Sequence, residues 1–341
     1  MKVKRNSKIF ITSILIMTFF ITGCSKSKDI SNNSTSKPVI GAVIGSFDDT
    51  WRTSLRNELY EMAEDKAEMN IWSADNSQET ENKKIDALID SKVNVLVINL
   101  IEKSAAPTII AKAQKANIPV IFFNIQPSEE DLKIWDKVYY VGSKGEQSGM
   151  IQGQILADYF KNNPTKDGVV HYVMLKGPDG HPDATSRSIH SVDAMKDAGL
   201  YVEKLSDAVA SWDREKAKNE MRNFIATEGD KVDCVIANDD DMALGAIDAL
   251  KEKGYFTNGK YIPVVGVDGN NSTISFLNQG TLLATVLNDA SEQGKAIFNL
   301  ASVLSSGQTP TKDNVNYAID DHRCIWIDYK KITKENISDI K

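Results

Sequence analysis

Gly177-Pro178-Asp179-Gly180-His181-Pro182-Asp183-Ala184-Thr185-Ser186-Arg187 is the stretch on which the reading of this chain turns. It follows the apolar run 169–175, which reads as a buried strand, and precedes 188–198, whose apolar spacing predicts a helix. It is therefore a strand-to-helix loop, and in α/β proteins such loops lie at the carboxyl ends of strands, where ligands bind. Its imidazole, carboxylate and guanidinium are planar groups, each able to bond two hydroxyls. Pro178 and Pro182 stiffen the backbone that carries them.

Outward from this loop the same alternation extends in both directions. On the N-terminal side, apolar runs at 39–45, 70–73, 93–100, 117–123 and 138–141 predict strands, with helical patterns at 52–69, 78–91 and 105–116 between them. On the C-terminal side, strands are expected at 201–208, 232–237, 262–267 and 282–287, and helices at 146–160, 214–227, 242–253 and 291–304. Strict β-α alternation means parallel sheets covered by helices on both faces. The pattern occurs twice, so the fold class is α/β: two doubly wound parallel-sheet lobes with a hinge and an interlobe ligand cleft. The expected division is 38–141 plus about 289–323 for the N-terminal lobe, and 142–288 plus about 324–341 for the C-terminal lobe.

The beginning of the chain reads differently. Lys2, Lys4, Arg5 and Lys8 precede an apolar run, 9–21, too short to span a bilayer, and Gly23-Cys24 follows. This is a signal peptide, 1–23, with a lipobox-like end; the resemblance implies cleavage before Cys24 and lipid attachment to its thiol. Residues 24–37 are rich in Ser, Asn and Lys and read as a flexible tether. Losing the leader's four basic side chains takes the formal charge from −7 to −11. That balance excludes nucleic acid and an anionic membrane surface as partners of the folded part, leaving the lipid as the membrane contact. Cys234 and Cys324 lie in apolar runs and are expected as buried free thiols. No His/Cys spacing fits zinc, and no glycine-rich nucleotide loop is present.

Asp49, Asn124, the trio His181, Asp183 and Arg187, then Asp239, Asp268 and Asn288 each stand just after an apolar strand. Trp51 and Trp212 stand in equivalent loops, one per lobe. A sugar has hydroxyls around its rim and C–H faces above and below. Planar polar groups satisfy the rim and aromatic rings cover the faces. Any of these residues alone would pass for a helix cap or a core aromatic; it is their shared place at strand ends that points to a site.

At these residues the chain resembles the periplasmic glucose/galactose-binding proteins, which are type I solute-binding proteins of ABC sugar importers and, in some bacteria, serve chemoreceptors. The resemblance is carried by Ile40-Gly41 through Asp49, Phe122-Phe123-Asn124, Gly180-His181-Pro182-Asp183-Ala184, Trp212-Asp213, Ile236-Ala237-Asn238, Gly266-Val267-Asp268 and Thr285-Val286-Leu287-Asn288-Asp289. It implies the periplasmic binding protein type I fold, a binding function with no catalytic residue, and an aldohexose as ligand. Asp49, Asn124, His181, Asp183, Arg187, Asp268 and Asn288 would hydrogen-bond the sugar and Trp212 would stack on it; Trp51 replaces a frequent Phe. Asp239 stands where the family has a ligand-binding Asn. The family's calcium loop falls at 163–171, where Val169 replaces an oxygen donor and few carboxylates remain, so no metal or cofactor is expected. The expected partners are a monosaccharide (D-glucose or D-galactose first, a pentose such as D-xylose second) and ABC permease subunits, for a monomer on the outer face of the cytoplasmic membrane. The alternative is a sugar sensor docking on a membrane histidine kinase or chemoreceptor.

Overall fold

A computed structural model of the protein describes residues 37–340. The signal peptide and the lipidation at Cys24 expected from the sequence fall outside the described residues. The elements in the N-terminal part are β1 (Val39–Ile44), α1 (Thr50–Ala63), β2 (Glu68–Ser73), α2 (Gln78–Asp90), β3 (Val95–Asn99), α3 (Ala106–Ala116), β4 (Val120–Phe123), α4 (Glu129–Lys133) and β5 (Val138–Gly142). There follow α5 (Gly145–Asn162), β6 (Val169–Lys176), α6 (Pro182–Asp197), β7 (Tyr201–Val209), α7 (Arg214–Glu228), β8 (Cys234–Ala237), α8 (Asp240–Glu252), β9 (Val264–Val265), α9 (Ile274–Gln279) and β10 (Thr285–Leu287). The chain ends with α10 (Ala290–Ser305), α11 (Lys312–Val315), β11 (Cys324–Trp326) and β12 (Lys330–Ile332).

The first sheet has the order β11-β5-β4-β3-β1-β2, with every pairing parallel. Its inner strands are apolar on both faces, as burial between two helical layers requires. One face packs against α1 and α10 through Leu55, Leu59, Ile297 and Leu300; the other packs against α2 and α3 through Ile85, Leu88, Ile109 and Ile110. The second sheet has the order β7-β6-β8-β9, also parallel. Parallel bridges Val265–Ala284 and Asp268–Leu287 carry it on to β10, where β12 adds antiparallel. Its two faces likewise have separate cores, one built on Met221, Ile247 and Leu250, the other on Leu156, Met195 and Ile236. These are the two doubly wound lobes expected from the alternation. The chain passes between them after β5, after β10 and after β11.

Three details depart from the sequence reading. Helix α1 stops at Ala63, whereas a helix to 69 was expected, because Glu68 to Ser73 pairs in parallel register with Val39 to Ile44. Ladder pairing with a buried neighbour overrides the helical periodicity of that segment. Cys324–Trp326 belongs to the first sheet, against Tyr140–Gly142, so the last crossing comes after Trp326 rather than at 324. Helix α6 begins at Pro182, not at 188: proline has no N–H to lose at the first helical position, and its fixed φ suits the helix. Asp183 and Arg187 therefore project from the first turns of a helix, one turn apart, instead of from a loop. Cys234 and Cys324 are free and buried, on different sheets.

Candidate functional site

All ten side chains singled out in the sequence line one cavity: Asp49, Trp51, Asn124, His181, Asp183, Arg187, Trp212, Asp239, Asp268 and Asn288. Arg52 and Asp241 line it as well.

The first lobe contributes through α1 and the end of β4. Asp49 caps α1, its Oδ1 accepting the Arg52 amide at 2.7 Å, while its Oδ2 pairs with the Arg52 guanidinium at 2.8 Å. That guanidinium lies over Gly45, where a Cβ would stand 3.3 Å from its central carbon. The Trp51 indole N–H donates to the Asn288 carbonyl at 2.8 Å, joining α1 to the segment after β10. Asn124 adopts the left-handed conformation (φ 61°), and its carbonyl accepts from the Tyr140 hydroxyl at 2.8 Å. The turn thus directs the chain out of the sheet at the cavity's edge.

The second lobe contributes more. Arg187 is buried, donating to the Asn238 carbonyl at 2.7 Å and to the Tyr329 hydroxyl at 3.3 Å, with Asp268 at 3.8 Å. Burial opposes its charge, but Tyr329, Asp268 and Asp183 outweigh burial and raise its pKa, so the guanidinium is permanently protonated. Asn238 is the pin of this lobe: its Oδ1 accepts the Gly177 amide at 3.1 Å, tying the opening loop to the end of β8. Trp212 also has a positive φ, 66°, and its ring lies on Gly177, where a Cβ would come within 2.1 Å. Only glycine admits the indole there. His181 meets Trp212 edge-on at 5.2 Å between ring centroids, and its buried Nδ1 has no hydrogen-bond partner in the protein. Burial lowers its pKa to about 4, so the ring is neutral near pH 7, with one nitrogen to donate and one to accept.

Asp239 caps α8 by accepting the Met242 amide at 2.8 Å. Capping and lining the cavity are compatible, since the other oxygen remains. Asp268 has φ 119°, a conformation that costs a non-glycine residue about 1–3 kcal/mol and is held by the bridge to Leu287. Burial raises the pKa of Asp239 well above the ordinary value, and Asp268 and Asp241 push it further. Burial does the same to Asp268, with Arg187 opposing. Beneath them Asp240 is fully buried, accepting from the Thr285 hydroxyl at 2.6 Å and the Asn270 amide at 3.0 Å; burial pushes it up to about 7. Asp241 accepts from Thr50 of the first lobe at 2.9 Å. Asn288 Oδ1 accepts from the Gln293 side-chain amide at 2.7 Å.

Arg52 and Asp241 were missed in the sequence. Arg52 carried a legible signal, standing three residues after Asp49 on the same helix face. Asp241 looked like one more acid in a solvated helix start. Acceptors from both lobes, a fixed cation and two indoles around one small cavity can hold a compact polyhydroxylated ring.

Comparison with known proteins agrees with this geometry. Residues 40–309 match the periplasmic binding protein domain. The D-galactose/methyl-galactoside binding periplasmic protein MglB of Haemophilus influenzae is 34% identical over 307 residues, covering 88% of this chain and 91% of the relative. The ribose import binding protein RbsB of Escherichia coli is 27% identical over 303 residues, covering 88% and 95%. Among solved structures, a Bacillus halodurans ABC transporter solute-binding protein with bound myo-inositol superposes with a TM-score of 0.76 at 24% identity, covering 90% of this chain and 98% of that one. The chain belongs to the periplasmic binding protein family and has its type I fold. Members of this family are ligand-binding receptors rather than enzymes.

Proposed function

We propose that the protein is an exported, lipid-anchored receptor that captures an aldohexose, D-glucose or D-galactose, by closure of its two lobes and delivers it to an ABC importer. The observation that carries this reading is the convergence of eight polar strand-end residues and two tryptophans on one cavity. The similarity to a galactose-binding relative supports the choice of sugar. Asp49, Asn124, His181, Asp183, Arg187, Asp268 and Asn288 bond the hydroxyls, and Trp51 and Trp212 cover the faces. Ligand binding favours the closed state because residues of both lobes touch the same ring, and the permease reads the closed surface. Cys24 carries the lipid and the protein works as a monomer. The 163–171 loop works without calcium, since Val169 stands where an oxygen donor would be needed and few carboxylates remain in it.

Calorimetry with D-glucose, D-galactose and D-xylose tests the ligand, and small-angle scattering with and without sugar tests closure. Heat with a hexose and a more compact particle are expected; silence with every aldose would sink the assignment. Cys24→Ala should abolish lipid attachment in membrane fractions.

A further inference from the structure

Beside the sugar cavity lies a wider, solvent-open one, and Asn124 and Asp183 line both. The wall between them is thus made of two polar side chains rather than packed apolar ones. Its position is fixed from each lobe. On one side Tyr140 holds the Asn124 carbonyl at 2.8 Å. On the other, Asp183 Oδ1 sits over Gly145, where a Cβ would come within 2.7 Å. Trp326, at the edge of the first sheet, is part of the wider cavity. Its indole is held: the N–H donates to Asp320 at 2.9 Å, Tyr140 packs at 5.4 Å with a 59° tilt, and the Lys144 ammonium lies 5.2 Å from the ring. It remains partly exposed.

We propose that this second cavity is a subsite for the second ring of a disaccharide whose terminal sugar occupies the main cavity, with Trp326 as its stacking platform. The inference rests on the sugar-binding reading above. A carboxylate and an amide at the junction bond the oxygens on either side of a glycosidic link and leave room for the link itself. A pre-oriented indole matches the C–H face of a second pyranose. Gln126, Ser143 and Glu146 supply polar groups for its rim. A free monosaccharide leaves all of this to water.

The test is calorimetry on the intact exported chain with D-galactose and D-glucose, and with lactose, melibiose, cellobiose and maltose, which end in those sugars. At least one disaccharide is expected to bind within about a hundredfold of its terminal monosaccharide. Trp326→Ala should weaken that disaccharide by about fivefold or more and leave the monosaccharide unchanged; Trp326→Phe, which keeps a ring face, should retain most of the affinity. If Trp326→Ala does not fold, Trp326→Leu takes its place. Monosaccharide binding with all four disaccharides weaker than that limit overturns the subsite, as does a Trp326 variant that shifts both ligand classes equally. Absence of any monosaccharide binding would instead strike at the sugar-receptor reading.

Discussion

Asp49 and Asp239 occupy equivalent places in the two lobes, and the protein treats them differently. Each follows an apolar strand, caps the helix that comes next, and accepts the amide three residues on, at 2.7 and 2.8 Å. Asp49 then receives a cation, Arg52, at 2.8 Å. Asp239 has Asp240, Asp241 and Asp268 around it, and the one buried guanidinium on its side, Arg187, lies against Asp268 instead. The same capping rule therefore produces a neutralised acceptor in one lobe and a carboxyl that resists ionisation in the other. Capping is a local property that four residues settle. Charge balance depends on which strand ends the fold brings together.

The severest way to break this comparison is to remove Arg187. Arg187→Met takes away the guanidinium 3.8 Å from Asp268 and leaves the Asn238 carbonyl and Tyr329 hydroxyl without their donor. Breaking a buried pair from one side costs about 3–5 kcal/mol. Both a large fall in melting temperature and loss of measurable sugar binding are expected, by calorimetry and by thermal melts. A variant that binds normally would show that the second lobe's acids need no counter-charge.

A second test sharpens the electrostatic half. Asp240→Asn preserves both hydrogen bonds, because the amide oxygen takes the Asn270 N–H and the amide nitrogen donates to Thr285. In the parent, the folded pKa of about 7 stands above the unfolded value, so the contribution of Asp240 is full below pH ~4 and is lost as pH rises toward 7. His181 acts in the opposite sense: its pKa of about 4 means stability is lost as pH falls from about 6.5 toward 4. The difference between variant and parent cancels His181. Urea midpoints should show the variant gaining on the parent between pH 4 and 7, by up to about 1.4 kcal/mol per pH unit.

A third, smaller effect belongs to the first lobe. Arg52→Met leaves Asp49 capped but unpaired, with side chains that were only 10% and 19% exposed. A loss of about 1–2 kcal/mol in stability is expected, and a several-fold loss in sugar affinity. Arg52→Lys should recover part of it. Equal behaviour of parent and both variants would mean that Asp49 needs no partner either.

How far the sequence reached follows the same division. The alternating elements, the two sheets and the ten cavity residues were legible because each depends on a run of neighbours: an apolar strand, then a polar planar residue. Arg52 was legible only through its spacing from Asp49, and Asp241 was not legible as a site residue, because what matters for it is a contact across the fold, with Thr50. The start of α6 was misplaced for a local reason, a proline taken as a loop residue that is instead the first helical one. Trp326 was placed in the wrong lobe because a strand of three residues carries no periodicity; only pairing with β5 decides it.

The finest test is Asp239→Asn. Asparagine caps as well as aspartate, so the bond to the Met242 amide survives. What changes is the group facing the cavity: two acceptors become one acceptor and a donor. A sugar hydroxyl has one proton and cannot give it to both Asp239 and Asp268, so in the parent the two carboxyls must take different hydroxyls, or one must hold a proton itself. The raised pKa of both favours a shared proton, which the variant makes unnecessary. At pH 7 the variant should melt slightly higher than the parent, and toward pH 4 the gain should shrink, because the unfolded parent's carboxyl then no longer gains by ionising. At least one of the glucose:galactose:xylose affinity ratios should move by about tenfold, equivalent to ~1.4 kcal/mol in one charge-assisted contact. Unchanged ratios together with an unchanged melting temperature at both pH values would reduce Asp239 to a helix cap. The asymmetry between the lobes would then be a matter of stability and not of sugar choice.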